Sequence, residues 1–150
     1  MEELVCRITD EPIKADEILR DFGTYEHGAQ VYFLGLVRNH NHGKKVLAVS
    51  YDIFAPLAVK VLRQICEEAR DRFEGRAKMI VVHREGKLKV GDVSVCIAVS
   101  TPHREEAYQI SRYIIEELKV RAPIWKKEHY ETGETDWLQG HALCGKEGSR

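Results

Sequence analysis

From Leu57 onward apolar residues return every fourth position, at Val61, Ile65, Ala69 and Phe73, and this spacing predicts a helix over residues 56–73. Pro56 suits its first turn, and Gly75 lies just past its last. A second strong helix is predicted after Thr101 and Pro102, a capping residue followed by a first-turn residue. Ala107, Ile110, Ile114 and Leu118 form its apolar stripe, and Pro123 stops it. A shorter helix is expected over residues 13–22, introduced by Asp10 and Pro12 and closed by Gly23. The remaining apolar runs, 4–9, 28–37, 46–54, 77–83, 93–100 and 124–131, read as strands. Residues 38–45, RNHNHGKK, break the pattern as a polar loop, with a hairpin expected across it, and EGKLKVGD reads as turns. Residues 140–150 read as a loose or conditionally ordered tail.

The order is roughly βαββαβββαβ, with hairpin-like neighbours as well as crossovers. That pattern points to the α+β class, a mixed, largely antiparallel sheet with helices packed against it, rather than a doubly wound parallel sheet. The 150 residues suit one domain, and no repeat or linker divides them. With 43% hydrophobic and 31% charged residues, a disordered chain is excluded. Lys and Arg number 23 against 24 Asp and Glu, which argues against a dedicated nucleic-acid binder but leaves room for a local anion site. No apolar stretch approaches the ~20 residues of a membrane span. The acidic opening lacks a signal peptide's basic region, so a cytoplasmic protein is expected. Four cysteines contain no CxxC pair, and Cys66 and Cys96 fall on apolar elements as core residues of a reduced protein.

Polar chemistry concentrates in three places. Arg38 to Lys45 carries three formal cations and no acid. Pro102-His103-Arg104 opens a helix, where unpaired N–H groups and the positive dipole end favour an anion. The third place joins Lys119, near the end of that helix, to Lys126 and Lys127 beyond Pro123, and Lys119 and Lys126 can meet if the chain reverses there. Alternation in the last strand puts Lys126 and Glu128 on one face and Lys127 on the other. A lysine beside other cations or in a dry pocket becomes a better base or nucleophile. The plainer alternative leaves Lys119 complementing its helix end and Lys126 as a solvated strand charge. His40 and His42 lack a metal-site companion pattern, and His83 at a strand end reads as a hydrogen-bonded structural residue.

Three segments, GLVRNHNHGKKVLAVSYDIFAPLA, VVHREGKLKVGDVSVCIAVSTPHREEAY and LKVRAPIWKKE, closely resemble the MoaE family, the large, catalytic subunit of molybdopterin synthase. The resemblance is ordered and implies a family domain over residues 1–138 and a tail over 139–150. It implies an α/β hammerhead-type fold and a homodimer flanked by two copies of a small ubiquitin-like sulfur carrier, together a heterotetramer. The carrier's C-terminal Gly-Gly thiocarboxylate would enter this chain's pocket and supply two sulfurs to cyclic pyranopterin monophosphate, giving molybdopterin. Position by position, Lys119 and Lys126 match the family's catalytic lysines. Arg38, His103 and Arg104 match its substrate-anion residues, and Lys127 and Glu128, which extend the Lys126 segment, join them, Lys119 and Lys126 in the implied substrate-binding set. No metal or cofactor is implied, and no membrane or nucleic-acid partner. Leu36 departs from the small or hydroxylated residue of many relatives, and any basic residue given to a neighbouring subunit by the tail, such as Lys146 or Arg150, has no assignment. Two other classes compete with the resemblance: a non-catalytic module that docks a ubiquitin-like tail, and a nucleic-acid binder acting through RNHNHGKK.

Overall fold

The computed structural model describes residues 3–73, 75–133 and 135–139. Its first sheet contains β1 (Leu4–Thr9), β5 (Lys78–Arg84), β7 (Val93–Thr101) and β2 (Ala29–Leu36), in that spatial order. Only the β1–β5 pair is parallel. A second sheet is built on β4 (Lys44–Ile53), which pairs with β3 (His40–Asn41), β6 (Gly86–Lys89) and β8 (Ile124–Tyr130). The last strand, β9 (Thr135–Gln139), lies beside β8. The expected mixed, largely antiparallel α+β architecture is therefore present. The tail expected from residue 139 lies, from residue 140 on, outside the described residues, as do Cys144, Lys146 and Arg150.

Two long helices, α2 (Ala55–Arg72) and α3 (Arg104–Arg121), cover one face of the first sheet. Their buried stripes meet Met79, Val81, Ile97 and Val99 in the main core. For α3 the stripe is Ala107, Ile110, Ile114 and Leu118, as the spacing predicts. For α2 it is Ala58, Leu62, Ile65, Cys66 and Ala69, whereas Leu57 is exposed. A strict four-residue step advances 400° per interval and drifts around the helix, so Leu57 and Ala69 cannot share one narrow face.

The other face of the sheet is covered by the segment around α1 (Ala15–Ile18), a single turn where a longer helix is expected. It ends at Ile18 with Leu19 as its C-cap, Asp21 just beyond takes a φ of 60°, and Ile13 and Phe22 on either side are buried against Ile80, Val82, Cys96 and Ala98. Two apolar anchors, not helix length, fix this stretch.

Three further expectations change. No hairpin joins β2 to β4, because β2 pairs with β7 while β4 belongs to the second sheet. Residues 38–45 instead form a small hairpin of their own: β3 pairs with the start of β4 across His42 and Gly43, with φ of 50° and 77°. Positive φ at both central residues matches the twist of a two-residue hairpin. The segment read as turns contains β6, whose Leu88 is buried with Val37, Val46 and Val49 in a separate cluster. Thr101 does not cap α3: its hydroxyl donates to the His103 carbonyl at 2.6 Å, and the helix opens at Arg104 with His103 as its N-cap.

Candidate active site

Where the C-terminal end of α3 meets the start of β8, a cavity of about 430 Å³ opens. Arg38, Lys119 and Lys126 line it, so three residues singled out from the sequence converge. The end of β2 supplies an apolar wall from Phe33 to Leu36, and Ile115 and Leu118 supply another from α3. Pro123 reverses the chain after α3, and pairing of β8 with β4 sets Lys126 opposite Tyr51. Leu36, the departure from many relatives, is one of the wall residues.

Lys126 does not stand as a solvated charge. Its Nζ lies 3.2 Å from Glu128 Oε2, and the Glu128 side chain is only 3% exposed. Glu128 Oε1 accepts hydrogen bonds from Asn41 Nδ2 at 2.7 Å and from the Tyr130 hydroxyl at 2.6 Å. Burial pushes the Glu128 carboxyl up. The hydrogen bonds from Tyr130 and Asn41 and the Lys126 charge outweigh it and hold the group below the usual carboxylate value. A buried carboxylate with three donors persists as an anion, and a cation held by it keeps one geometry.

His83, Tyr51 and Ser94 also line the cavity, and the sequence reading assigned them no part in it. His83 is buried at the end of β5, and its Nδ1 bonds to the Arg84 carbonyl at 2.9 Å. Its ring meets Tyr51 edge to face at 5.0 Å. Burial, with a smaller contribution from the Lys119 charge, pushes its pKa down to about 4, against the Arg84 hydrogen bond. The ring is therefore neutral at physiological pH and adds an uncharged wall beside Lys119. The structural role read for His83 stands, and its place at the cavity depends on a strand end reaching the helix end, which local pattern does not carry.

Four residues of the predicted set do not line this cavity. Glu128 reaches it only through Lys126. Lys127 points to the opposite face of β8, where its Nζ lies 5.2 Å from the Trp137 ring centroid. His103 and Arg104 are exposed at the far end of α3, about 22 Å from Lys119 along the axis at 1.5 Å per residue. Glu105 and Glu106 already occupy the first turn there. The same end carries His27, whose Nδ1 is 2.8 Å from Ser100 Oγ and whose pKa is lowered by burial and by Arg76 and Lys78. Among the described residues, no group of three or more His, Cys, Asp or Glu side chains is placed to hold a metal. Cys66 and Cys96 are buried, as read.

The comparisons with known proteins agree with one another. The family model described as MoaE protein matches residues 8–121. A molybdopterin synthase catalytic subunit of Synechococcus elongatus is 47% identical over 124 residues, 83% of this chain and 75% of that protein. The molybdopterin synthase catalytic subunit 1 of Mycobacterium tuberculosis is 41% identical over 89% of each chain. Among solved structures, molybdopterin synthase from Staphylococcus aureus superposes with a TM-score of 0.83 at 37% identity, covering 92% of this chain and 98% of that one. A complex of subunits 1 and 2 of the molybdopterin-converting factor from Helicobacter pylori shares the fold, with a TM-score of 0.68 at 21% identity over 92% of this chain and 90% of that one. On the family match and on relatives this similar across most of both lengths, the chain belongs to the MoaE family.

Proposed function

We infer that this chain is the catalytic subunit of a molybdopterin synthase, acting in molybdenum cofactor biosynthesis. It takes sulfur from the thiocarboxylated Gly-Gly tail of a small ubiquitin-like subunit and places two sulfurs on cyclic pyranopterin monophosphate. The reading includes a homodimer within a heterotetramer and a cytoplasmic location. No helix among the described residues is long and apolar enough to cross a membrane.

The observation that carries the reading is the convergence of Arg38, Lys119 and Lys126 on one cavity with an apolar wall. A thiocarboxylate is already a nucleophile, so the chain need not supply a reactive cysteine. What it must supply is proton transfer and stabilisation of the oxyanion formed when water releases the carrier's acyl group. Lys119 takes the acid–base or transient covalent role. Lys126, its ammonium fixed by Glu128, stabilises the developing negative charge. Arg38 suits the precursor's phosphate, with His103 and Arg104 contributing from a second copy.

Single-turnover sulfur transfer with thiocarboxylated carrier and precursor tests this. A Lys119→Ala variant that still binds both should lose roughly 10²–10⁴-fold in rate, the scale of general acid–base catalysis. Full transfer by that variant would remove Lys119 from the mechanism.

A further inference from the structure

Backbone bonds anchor the base of the hairpin that follows Arg38, from the Val37 amide to the Asp92 carbonyl, from the Gly91 amide to the Val37 carbonyl and from the Glu131 amide to the Lys45 carbonyl, and fewer hold its tip. Its β3 strand pairs with β4 at only two positions, His40 with Lys45 and Asn41 with Lys44. The Val46 amide adds one bond to the Asn39 carbonyl at 2.8 Å. A side chain makes the longer connection: Asn41 Nδ2 donates to Glu128 Oε1 at 2.7 Å, across 87 positions of sequence and from β3 to β8. The acceptor is a buried carboxylate whose other oxygen holds Lys126.

We propose that Asn41 is a positioning residue for sulfur transfer, which through one hydrogen bond to Glu128 orients the Lys126 ammonium. The proposal rests on the role given above to Lys126. Asn41 and Tyr130 together occupy Glu128 Oε1, which leaves Oε2 as the oxygen that meets Lys126. The carboxylate therefore has one orientation, and the amine one side from which to be held. Removing the amide leaves a buried acceptor short of a donor and frees the carboxylate to turn. Lys126 would then keep its charge and lose its aim. The loss would appear in the rate of the bound complex rather than in the affinity for either reactant, because Asn41 does not line the cavity.

Lys126 and Tyr130 lie on the same strand as Glu128, burial and to a lesser extent the Glu128 charge push up the Tyr51 phenol on β4, and the register partner of Glu128 on β9 is Asp136. Lys44 packs over the Tyr130 ring, 5.0 Å from its centroid.

The experiment uses the full chain reconstituted with thiocarboxylated carrier and precursor, followed in single turnover at saturation. Asn41→Ala should lower the rate constant roughly ten- to hundredfold with carrier and precursor affinities unchanged, the scale of a misplaced catalytic group. Asn41→Asp sets a second carboxylate against Glu128, and two such groups in contact cannot both ionise freely. Its rate relative to the unaltered chain should be lowest at neutral pH. It should climb as the pH falls, because the protonated aspartic acid donates as the amide did. The corresponding ratio for Asn41→Ala should stay flat. A full saturating rate in Asn41→Ala, or parallel pH profiles for the two variants, would overturn the proposal. Lys126→Ala run alongside separates the two claims. If it is inactive while Asn41→Ala keeps the full rate, the positioning role alone fails. If Lys126→Ala itself keeps the full rate, the reading beneath it fails.

Discussion

Arg104 and Lys119 stand at opposite ends of α3, fifteen positions and about 22 Å apart along one rigid axis. Both are cationic candidates for the same small substrate, and one copy of the chain cannot bring them together. A two-fold dimer can, by setting the start of one α3 against the end of the other. Arg104→Ala and Lys119→Ala chains should each be inactive alone. Mixed and allowed to exchange, they should recover about a quarter of normal activity, since half the dimers are mixed and each of those regains one intact site. Transfer assays on the mixture check this, and complete absence of recovery would mean that the two residues do not complete one site across the dimer.

His83 makes the fold sensitive to acid. Its folded pKa, about 4, lies below the ordinary histidine value of 6.5, so the unfolded chain binds more protons between those values. The associated stability is fully present above pH 6.5 and is lost as the pH falls toward 4, by about 3 kcal/mol at most for a shift of this size. Glu128, with its pKa also depressed, adds a loss of the same sign as its carboxyl protonates. Thermal unfolding from pH 7 to pH 4 should show a falling midpoint, and His83→Gln should flatten that slope. An unchanged slope in the variant would mean that His83 titrates freely in the folded protein.

The position of α2 on the sheet gives a test in stability alone. Leu62 is fully buried beneath the helix, while Leu57, one position before Ala58, is 44% exposed. Leu62→Ala should cost about 2–5 kcal/mol, and Leu57→Ala under about 1. Denaturant unfolding distinguishes them, and equal losses would mean that a strict four-residue stripe faces the core after all.

That contrast also separates what local pattern can convey from what it cannot. Helix existence was legible at α2 and α3, because an apolar stripe with Pro at one end and Gly or Pro at the other leaves few alternatives. The buried face of α2 was legible at Ile65 and Ala69 but not at Leu57, since residues four apart lie close enough on a helix for the drift to pass unnoticed over a turn. Strand partners were less legible still. Nothing between Leu36 and Val46 signals that β2 and β4 belong to different sheets, because pairing is decided by which faces the distant helices cover. At the site, Lys119 and Lys126 were within reach of pattern reading through Pro123 and strand alternation. His83, Asn41 and Tyr51 were not, because they join the cavity or its supports through contacts made between elements far apart in the chain.

Strand alternation on β8 yields the sharpest contrast between neighbours. Lys126 faces the cavity and is held by Glu128, while Lys127 turns to the other face and lies over Trp137. A lysine over an exposed indole contributes about 0.5–1 kcal/mol and makes no demand on the chemistry beneath the sheet. The resemblance placed Lys127 with the substrate residues, but in this chain its ammonium is separated from the cavity by the strand itself. Lys127→Ala should therefore cost less than about tenfold in single-turnover rate. Lys126→Ala should cost roughly a hundredfold or more, because it removes a charge set against the transition state and leaves Glu128 buried without its cation. Similar losses in the two variants would require Lys127 to reach a substrate across a face that β8 now blocks, from the same copy or from a second one.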